Sequence, residues 1–455
     1  MKAIGIDLGT TTISAVVMDE ATGKTEAAYT LSNDSFLHSG HPWEKLQDPE
    51  RIVEKATELL DGVLARPEYA ETIRVIGLTG QMHGIVYLDR DGRHVSPLFT
   101  WQDERGNDKC FGGKSLCEIL EQQYGISAST GYGLVTHLYN AATGRVPEGA
   151  VTVCTIMDYL GMVLTGRKKP LVHTSNAAGF GFFDVEHGTF RKELFSQVRI
   201  SEKELSGVSG LAAQQMKLSG DIFPEVTAAP AILGTWKGIP VCVAIGDNQA
   251  SFLGSVSDLR DSVLVNMGTG SQVSVYVKDY ICVKGIETRP FLKGGYLLVG
   301  SSLCGGRAYS LLERFFHQYA EALHVTEPEQ YSVMERLLRS YDEDAPRLKV
   351  DTRFAGTRDE PERRGKIENI GIDNFTPGAL IYGVLDGMAE ELYQMYLRMA
   401  DGLRPPRTKI VASGNGMRKN VFLQEITARR FGMELRLTEQ KEEAACGAAK
   451  AARLV

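Results

Sequence analysis

The chain has 455 residues, 43% of them hydrophobic and 24% charged, with a formal net charge of −7 at pH 7. At roughly 150 residues per domain this length suggests two or three domains with a sizeable core, and the acidic balance argues against a nucleic-acid partner, which calls for a basic stripe. Seven cysteines without a CxxC pair fit a reducing cytoplasm, the opening MKAIGID leaves no room for a signal peptide, and no apolar run approaches the ~18 residues of a membrane span. A cytoplasmic chain is expected, with neither nucleic acid nor membrane as partner.

Glycine is in excess. Its 48 copies exceed the usual share of roughly 7% and sit in short clusters between apolar runs, where tight turns or close backbone approach to a ligand are usual. The first cluster lies in Ala3–Val17, where β-branched residues surround Gly9-Thr10. That pattern predicts a β-hairpin. Glu50–Leu64 has helical apolar spacing, and Arg74–Leu78 reads as a short buried strand. A polar loop follows at Thr79-Gly80-Gln81-Met82-His83-Gly84, and then Trp101-Gln102-Asp103. The stretch from about 104 to 220 is an elaboration of the first half and includes a strand at Val151–Thr155.

Ile239–Ile245 reads as a buried strand that ends in Gly246-Asp247-Asn248-Gln249. The hairpin pattern then returns at Val263–Tyr276, where Gly268-Thr269 repeats Gly9-Thr10. A duplicated domain explains the repeat, as would chance likeness of two glycine hairpins. We place the boundary near residue 245, dividing the chain into 1–245 and 246–455. The second half continues with a strand at Tyr296–Ser301 before Gly305-Gly306, a helix at Gly378–Ala400 and a strand at Lys409–Ala412. A glycine loop, Ser413–Asn420, comes next, and an alanine-rich helix at Glu442–Leu454 is able to pack closely.

These loops suit phosphoryl transfer, which needs backbone donors for phosphate, a metal, and a group to orient or deprotonate the attacking hydroxyl. Gly9 lets the backbone approach an anion, and Thr10 and Thr11 add hydroxyls. Asp7, at the end of its strand, is placed to hold hydrated magnesium, or is a turn aspartate. Asn266 stands where the second hairpin would carry that acid. Asp247, between a strand and a helix, suits a general base or a helix cap. Gln81, Met82 and His83 with Trp101 and Asp103 offer directional hydrogen bonds and apolar faces to a polyol. The other histidines show no zinc-ligand spacing.

In order, GIDLGTT, TGQMHG, TWQDER, GDNQ, NMGTGS and GNGMRKN resemble the FGGY carbohydrate kinases over nearly the whole chain. The resemblance implies two actin-like, ribonuclease-H-type α/β domains around a central cleft, with the sugar mainly on the first domain and ATP and Mg²⁺ mainly on the second. It makes Asp247 the catalytic base and Asp7 the metal-side carboxylate, with Gly9, Thr10 and Thr11 near the terminal phosphate. Gly268, Thr269, Gly305, Gly414, Asn415 and Asn420 fall on nucleotide positions. Gln81, Met82, His83, Trp101, Asp103 and Asn248 fall on sugar positions. Gly-Asn-Gly replaces the Gly-Gly-Gly of many members, which bears on adenine contacts. GQMHG points to a ketose substrate. The Trp-Gln-Asp triplet and the run from Gly356-Thr357-Arg358 to Asn374–Gly378 place sedoheptulose ahead of xylulose. A homodimer is admitted as the assembly. GIDLGTT also resembles the nucleotide loop of Hsp70-type chaperones, so an Hsp70-like or actin-like ATPase without a sugar is the rival from another class.

Overall fold

In the computed structural model, which describes residues 1–205, 222–325, 330–342, 345–357, 360 and 362–455, the first hairpin forms as the sequence predicts. β1 (Lys2–Leu8) and β2 (Thr12–Asp19) are antiparallel with Leu8 opposite Ile13, so Gly9–Thr11 is their turn. β3 (Thr25–Ser32) continues the meander. β4 (Ile73–Gly80) lies parallel to β1 with Asp7 opposite Thr79. Arg358 and part of the 104–220 stretch lie outside the described residues.

The strand expected over Ile239–Ile245 is two strands. β5 (Ile232–Trp236) pairs with β6 (Ile239–Cys242), and β7 (Ile245–Gly246) joins β4 opposite Thr79 and Gly80. At the break, other groups satisfy the backbone. Val243 N donates to Ala231 O at 2.8 Å, Asn176 Nδ2 donates to Ala244 O at 3.1 Å, and Gly246 N donates to Ser175 Oγ at 3.0 Å. A buried backbone can leave a ladder only where such partners exist. The sheet runs β5-β6-β4-β1-β2-β3, with β7 also on β4. Its parallel centre is apolar on both faces, as parallel strands covered by helices require.

Helices complete this unit. α1 (Pro49–Leu64) begins at Asp48, whose side chain accepts from Glu50 N and Arg51 N, and it buries Ile52, Ala56, Leu59, Leu60 and Val63 along one face. α2 (Ile156–Thr165) packs on β4 and β5. α3 (Asp247–Ser255) carries Asp247 in its first turn. The C-terminal helix, Glu443–Ala452, packs on β1 and β4 at a distance that only glycine allows. A Cβ on Gly5 would lie 1.9 Å from Ala445 O, and one on Gly77 would lie 2.0 Å from Ala448 O.

Met1–Gly254, Arg289–Tyr296 and Gln440–Val455 make up this first unit; Ser255–Thr288 and Leu297–Glu439 make up the second. The boundary expected near residue 245 precedes α3, whose residues through Gly254 stay with the first unit. In the second unit, β8 (Ser262–Met267) and β9 (Ser271–Val277) form the second hairpin. β10 (Tyr296–Ser302), β9, β8, β11 (Lys409–Ser413) and β12 (Glu434–Leu437) are neighbours in that order. β8 and β11 are parallel, with Asn266 opposite Ser413. This is the arrangement of β1 and β4 repeated. α4 (Gly305–Ala322) and α5 (Pro377–Ala400) pack together, and α5 also packs on β9. The glycine loop after β11 is itself helical: α6 (Gly414–Lys419), followed by α7 (Val421–Phe431). Among the described residues no helix is long and apolar enough to cross a membrane.

The glycine packing can be tested. Gly77→Ala should lower the unfolding free energy by about 1–3 kcal/mol through overpacking against the C-terminal helix. Gly62→Ala meets open space in α1 and should be neutral or raise it by about 0.5–1 kcal/mol. Denaturant melts in which the two changes have the same sign would contradict the packing.

Candidate active site

Parallel strands deliver their carboxyl ends to one edge of a sheet, which is where open α/β sheets bind ligands. At that edge β1 ends in Asp7-Leu8, β4 in Gly80 before Gln81, and β7 in Gly246 before Asp247. Asp7 and Ile245 both lie opposite Thr79, on its two sides. Strand spacing therefore puts their backbones about 10 Å apart, with Asp247 two residues further along. Thr79 Oγ1 donates to Ile245 O at 2.7 Å and ties β7 to the edge.

Asp7 feels the charge of Asp247. Asp7 is pushed up to about 7, first by burial, then by the charges of Asp247 and Glu442. Burial also raises Asp247. Hydrogen bonds from Asn248, whose N donates to Asp247 Oδ1 at 2.6 Å and Nδ2 at 3.0 Å, work against that rise. The Arg289 guanidinium and the Met82 backbone act in the same direction. Arg289 reaches α3 because its segment is anchored there. Gln249 Nε2 donates to Pro290 O at 3.0 Å, and Phe252 meets Phe291 edge-on at 5.8 Å.

Met82 and His83 occupy the turn after β4. Met82 is buried, and Gly246 leaves room for its sulfur, since a Cβ there would lie 2.6 Å from Sδ. His83 has φ of 73°, a region costly for a residue with a side chain and common at ligand sites. Its ring stacks on Tyr132 with centroids 4.8 Å apart, and Nδ1 lies 2.9 Å from Gly179 O. A carbonyl only accepts, so Nδ1 carries a proton in this contact.

Gln81 sits among buried amides. Trp101 Nε1 donates to Thr10 Oγ1 at 2.9 Å, and Thr10 Oγ1 donates to Gln81 Oε1 at 3.4 Å. Gln81 Nε2 donates to Gln47 Oε1 at 2.8 Å, and Gln47 Nε2 returns to Thr10 O at 2.9 Å. Asn33 Nδ2 holds Gly9 O at 2.9 Å. Gln81 thus holds the hairpin turn, and the Thr10 hydroxyl is engaged by protein. Thr11 is exposed on the same turn, and the Trp101 side chain is 47% exposed. Asp103 is fully buried and clamps Arg105, with Nε at 2.6 Å from Oδ1 and Nη2 at 3.0 Å from Oδ2. Asp103 Oδ2 also accepts from Lys45 N at 3.1 Å. Its place is behind Trp101, bracing the loop. Asn33, Gln47, Arg289 and Glu442 gave no signal in the sequence; each arrives from a distant segment with nothing local to mark it.

The second unit gathers the remaining predicted residues at the carboxyl ends of β8 and β11. Gly268 N donates to Gly270 O at 2.9 Å and closes the hairpin turn. α4 begins directly on that turn. Gly306 N donates to Gly268 O at 2.9 Å and Arg307 N to Thr269 O at 3.0 Å, while a Cβ on Gly305 would lie 2.5 Å from the Gly270 backbone. Gly414, with φ of 85°, turns the chain from β11 into α6 against Met267 O. Asn415 is exposed on α6, and Asn420 caps α7 by accepting from Leu423 N at 3.0 Å. Gly268, Thr269, Gly305 and Gly414 therefore share one side-chain-poor surface, with Asn415 on α6 and Asn420 at the start of α7 flanking it.

A family model described as the FGGY family of carbohydrate kinases, N-terminal domain, matches residues 2–254, and the corresponding C-terminal domain model matches residues 263–454. Sedoheptulokinase of Mus musculus is 25% identical over 98% of this chain and 96% of its own length. Xylulose kinase of Haemophilus influenzae is 23% identical over 98% and 89%. Among solved structures, xylulose kinase from Rhodospirillum rubrum superposes with a TM-score of 0.78 at 20% identity, covering 100% of this chain and 90% of that one. Plasmodium falciparum glycerol kinase with ADP does so with 0.75 at 18%, covering 100% and 89%. The fold is the two-domain, actin-like α/β fold of these kinases.

The raised Asp7 predicts a pH-dependent stability. With a folded pKa of about 7 against an ordinary unfolded value, its favourable contribution is fully present in acid below the unfolded pKa and is lost as pH rises through about 7. Asp7→Asn removes that loss. Without ligands, the variant should melt above wild type at pH 8, and the gap should shrink as pH falls toward 4. Equal melting temperatures at pH 8 would count against the raised Asp7 carboxyl.

Proposed function

The chain belongs to the FGGY family of carbohydrate kinases, and on that premise we propose that it moves the terminal phosphoryl group of ATP onto a terminal hydroxyl of a ketose, sedoheptulose ahead of xylulose, with Asp247 as general base. The observation that carries this reading is the convergence of Asp7 and Asp247 at the carboxyl edge of one parallel sheet.

A carboxylate whose pKa is raised by burial is a better proton acceptor than one in water. The attacking hydroxyl gives its proton to Asp247 as its oxygen bonds the terminal phosphorus, while the bond from phosphorus to the ADP oxygen breaks. Asn248 fixes the Asp247 carboxyl through two hydrogen bonds. His83 hydrogen-bonds a sugar hydroxyl, Met82 packs on carbon, and the half-exposed Trp101 face supports the chain of the sugar. A hydrated magnesium ion fits this corner, because Asp7, with Asp247 beside it, offers the one or two carboxylates such an ion normally takes from protein. Asp7 is the residue we assign to hold it. Bound there, the ion would neutralise charge on the transferring phosphate.

We assign the nucleotide to the glycine surface of the second unit, with Gly268 and Thr269 on phosphate and Gly305, Gly414, Asn415 and Asn420 around the adenosine. Support comes from the absence of side-chain bulk there and from the ADP held by the related glycerol kinase. Sedoheptulose is placed first because the mouse sedoheptulokinase matches along 96% of its length. Xylulose is the second reading, supported by the Haemophilus relative. We place the enzyme in the cytoplasm, consistent with seven unpaired cysteines.

ADP release measured with sedoheptulose, xylulose, ribulose, fructose and glycerol should give the highest kcat/KM with sedoheptulose. A preference for xylulose would transfer the assignment, and ADP release indifferent to every sugar would point to the rival ATPase. Asp247→Asn should lower kcat by about 10²–10⁴-fold, the usual worth of a general base, with nucleotide affinity nearly unchanged; wild-type turnover would remove Asp247 from that role. His83→Ala should raise the sugar KM several-fold more than the ATP KM, and an unmoved sugar KM would take His83 out of the site.

A further inference from the structure

Thr10 makes more hydrogen bonds than a side chain facing only phosphate would need. Its hydroxyl accepts from Trp101 Nε1 at 2.9 Å and donates to Gln81 Oε1 at 3.4 Å. Gln81 and Gln47, both buried, carry the chain of bonds back to Thr10 O. The result is a closed ring in which each amide donates once and accepts once, so a single set of amide orientations satisfies every group. The ring fixes the carbonyl of Thr10, and Asn33 fixes that of Gly9. The main chain of the Gly9–Thr11 turn is therefore held by buried amides, and the indole holds the Thr10 side chain that closes the same ring.

The indole is the exposed member of this network, at 47% accessible. The loop beneath it is braced, since Asp103 clamps Arg105 and Thr100 Oγ1 donates to Lys45 O at 2.8 Å. The ring of Trp101 can thus be pinned from its open side by a ligand while its base stays fixed. We propose that the Thr10 hydroxyl is a positioning element that couples the Trp101 platform to the main chain of the Gly9–Thr11 turn, so that a sugar pinning the indole strengthens the hold on a turn conformation that the network already forms. Such an arrangement spends sugar-binding energy on holding the turn instead of on affinity, and it restrains transfer to water when the platform is empty.

This inference rests on the kinase reading. Trp101→Phe keeps an aromatic platform and removes the N–H; Thr10→Val removes the hydroxyl; Thr10→Ser keeps it. The first two should each lower kcat with the preferred ketose at least tenfold. The sugar KM should move less than about threefold, and ADP release without sugar should become a larger fraction of turnover. The Trp101→Phe/Thr10→Val double variant should be no worse than the poorer single, as two ends of one interaction require, and Thr10→Ser should recover most of what Thr10→Val loses. If Thr10→Val does not fold, Trp101→Phe carries the test. An active wild type matched by Trp101→Phe in kcat and in the sugar-free fraction would overturn the coupling alone. A wild type with no sugar-dependent ADP release on any ketose would overturn both the kinase reading and the coupling.

Discussion

The positions of Asp7 and Asp247 at the first unit's edge depend on how closely the C-terminal helix lies on what it covers. Four contacts leave no space for a side-chain atom. A Cβ would come within 1.9 Å of Ala445 O at Gly5, 2.0 Å of Ala448 O at Gly77, 1.9 Å of Glu443 O at Gly254 and 1.8 Å of Ala250 O at Gly447. One helix thus bears at once on β1, on β4 and on α3. Lys450 adds a polar tie by donating from Nζ to Leu253 O at 2.9 Å and to Gly254 O at 2.8 Å, at the far end of α3. Because packed interiors deform little, the strand that carries Asp7 and the helix that carries Asp247 are located against a common body built from the last residues of the chain.

That location works against local electrostatics. Asp7 and Asp247 are brought together where burial disfavours their charged forms, and the charge of Glu442 lies close enough to act on Asp7. The fold offsets this only in part, through the Asn248 hydrogen bonds and the Arg289 guanidinium, and both favour Asp247. Asp7 receives no comparable help and remains near 7. A pair of acids whose surroundings separate their behaviour is the usual mark of a site with a task. The acid with the hydrogen-bond support is the one assigned to take a proton; the unsupported one is assigned to meet a cation.

Much of this was legible in the sequence because the chemistry is local at the turns. Both hairpins, the helices over Glu50–Leu64 and Gly378–Ala400, and the alanine-rich terminal helix follow from period and turn residues alone. The sequence also showed that the last helix could pack closely, without showing on what: Gly5 and Gly77 read as ordinary strand positions. The break in Ile239–Ile245 was hidden because its apolar run is continuous, and the groups that satisfy the broken ladder, Asn176 and Ser175, lie far away in the chain. Residue type and the family resemblance both group Asp103 and Gln81 with the sugar positions. Their partners, Arg105 for one and Thr10 with Gln47 for the other, turn them inward as braces. A residue's chemistry can be read from the sequence; which neighbours consume it cannot.

The repeated strand order also explains why the two hairpins differ at one position. Asp7 and Asn266 occupy the same register, opposite Thr79 and Ser413 on the parallel neighbour. In the first unit the residue after β4 leads into Gln81 and Met82, and α3 brings a second acid. In the second unit Gly414 follows β11 at once, and its missing Cβ would stand 2.8 Å from Asn266 Oδ1. A carboxylate at 266 would direct its charge toward the glycine surface assigned to the nucleotide phosphates, where repulsion would weaken binding with no second acid to share a cation. The amide keeps the shape and removes the charge. In the roles assigned above, the acid of the first hairpin works with metal and base, and the amide of the second belongs to the hairpin assigned to hold the donor.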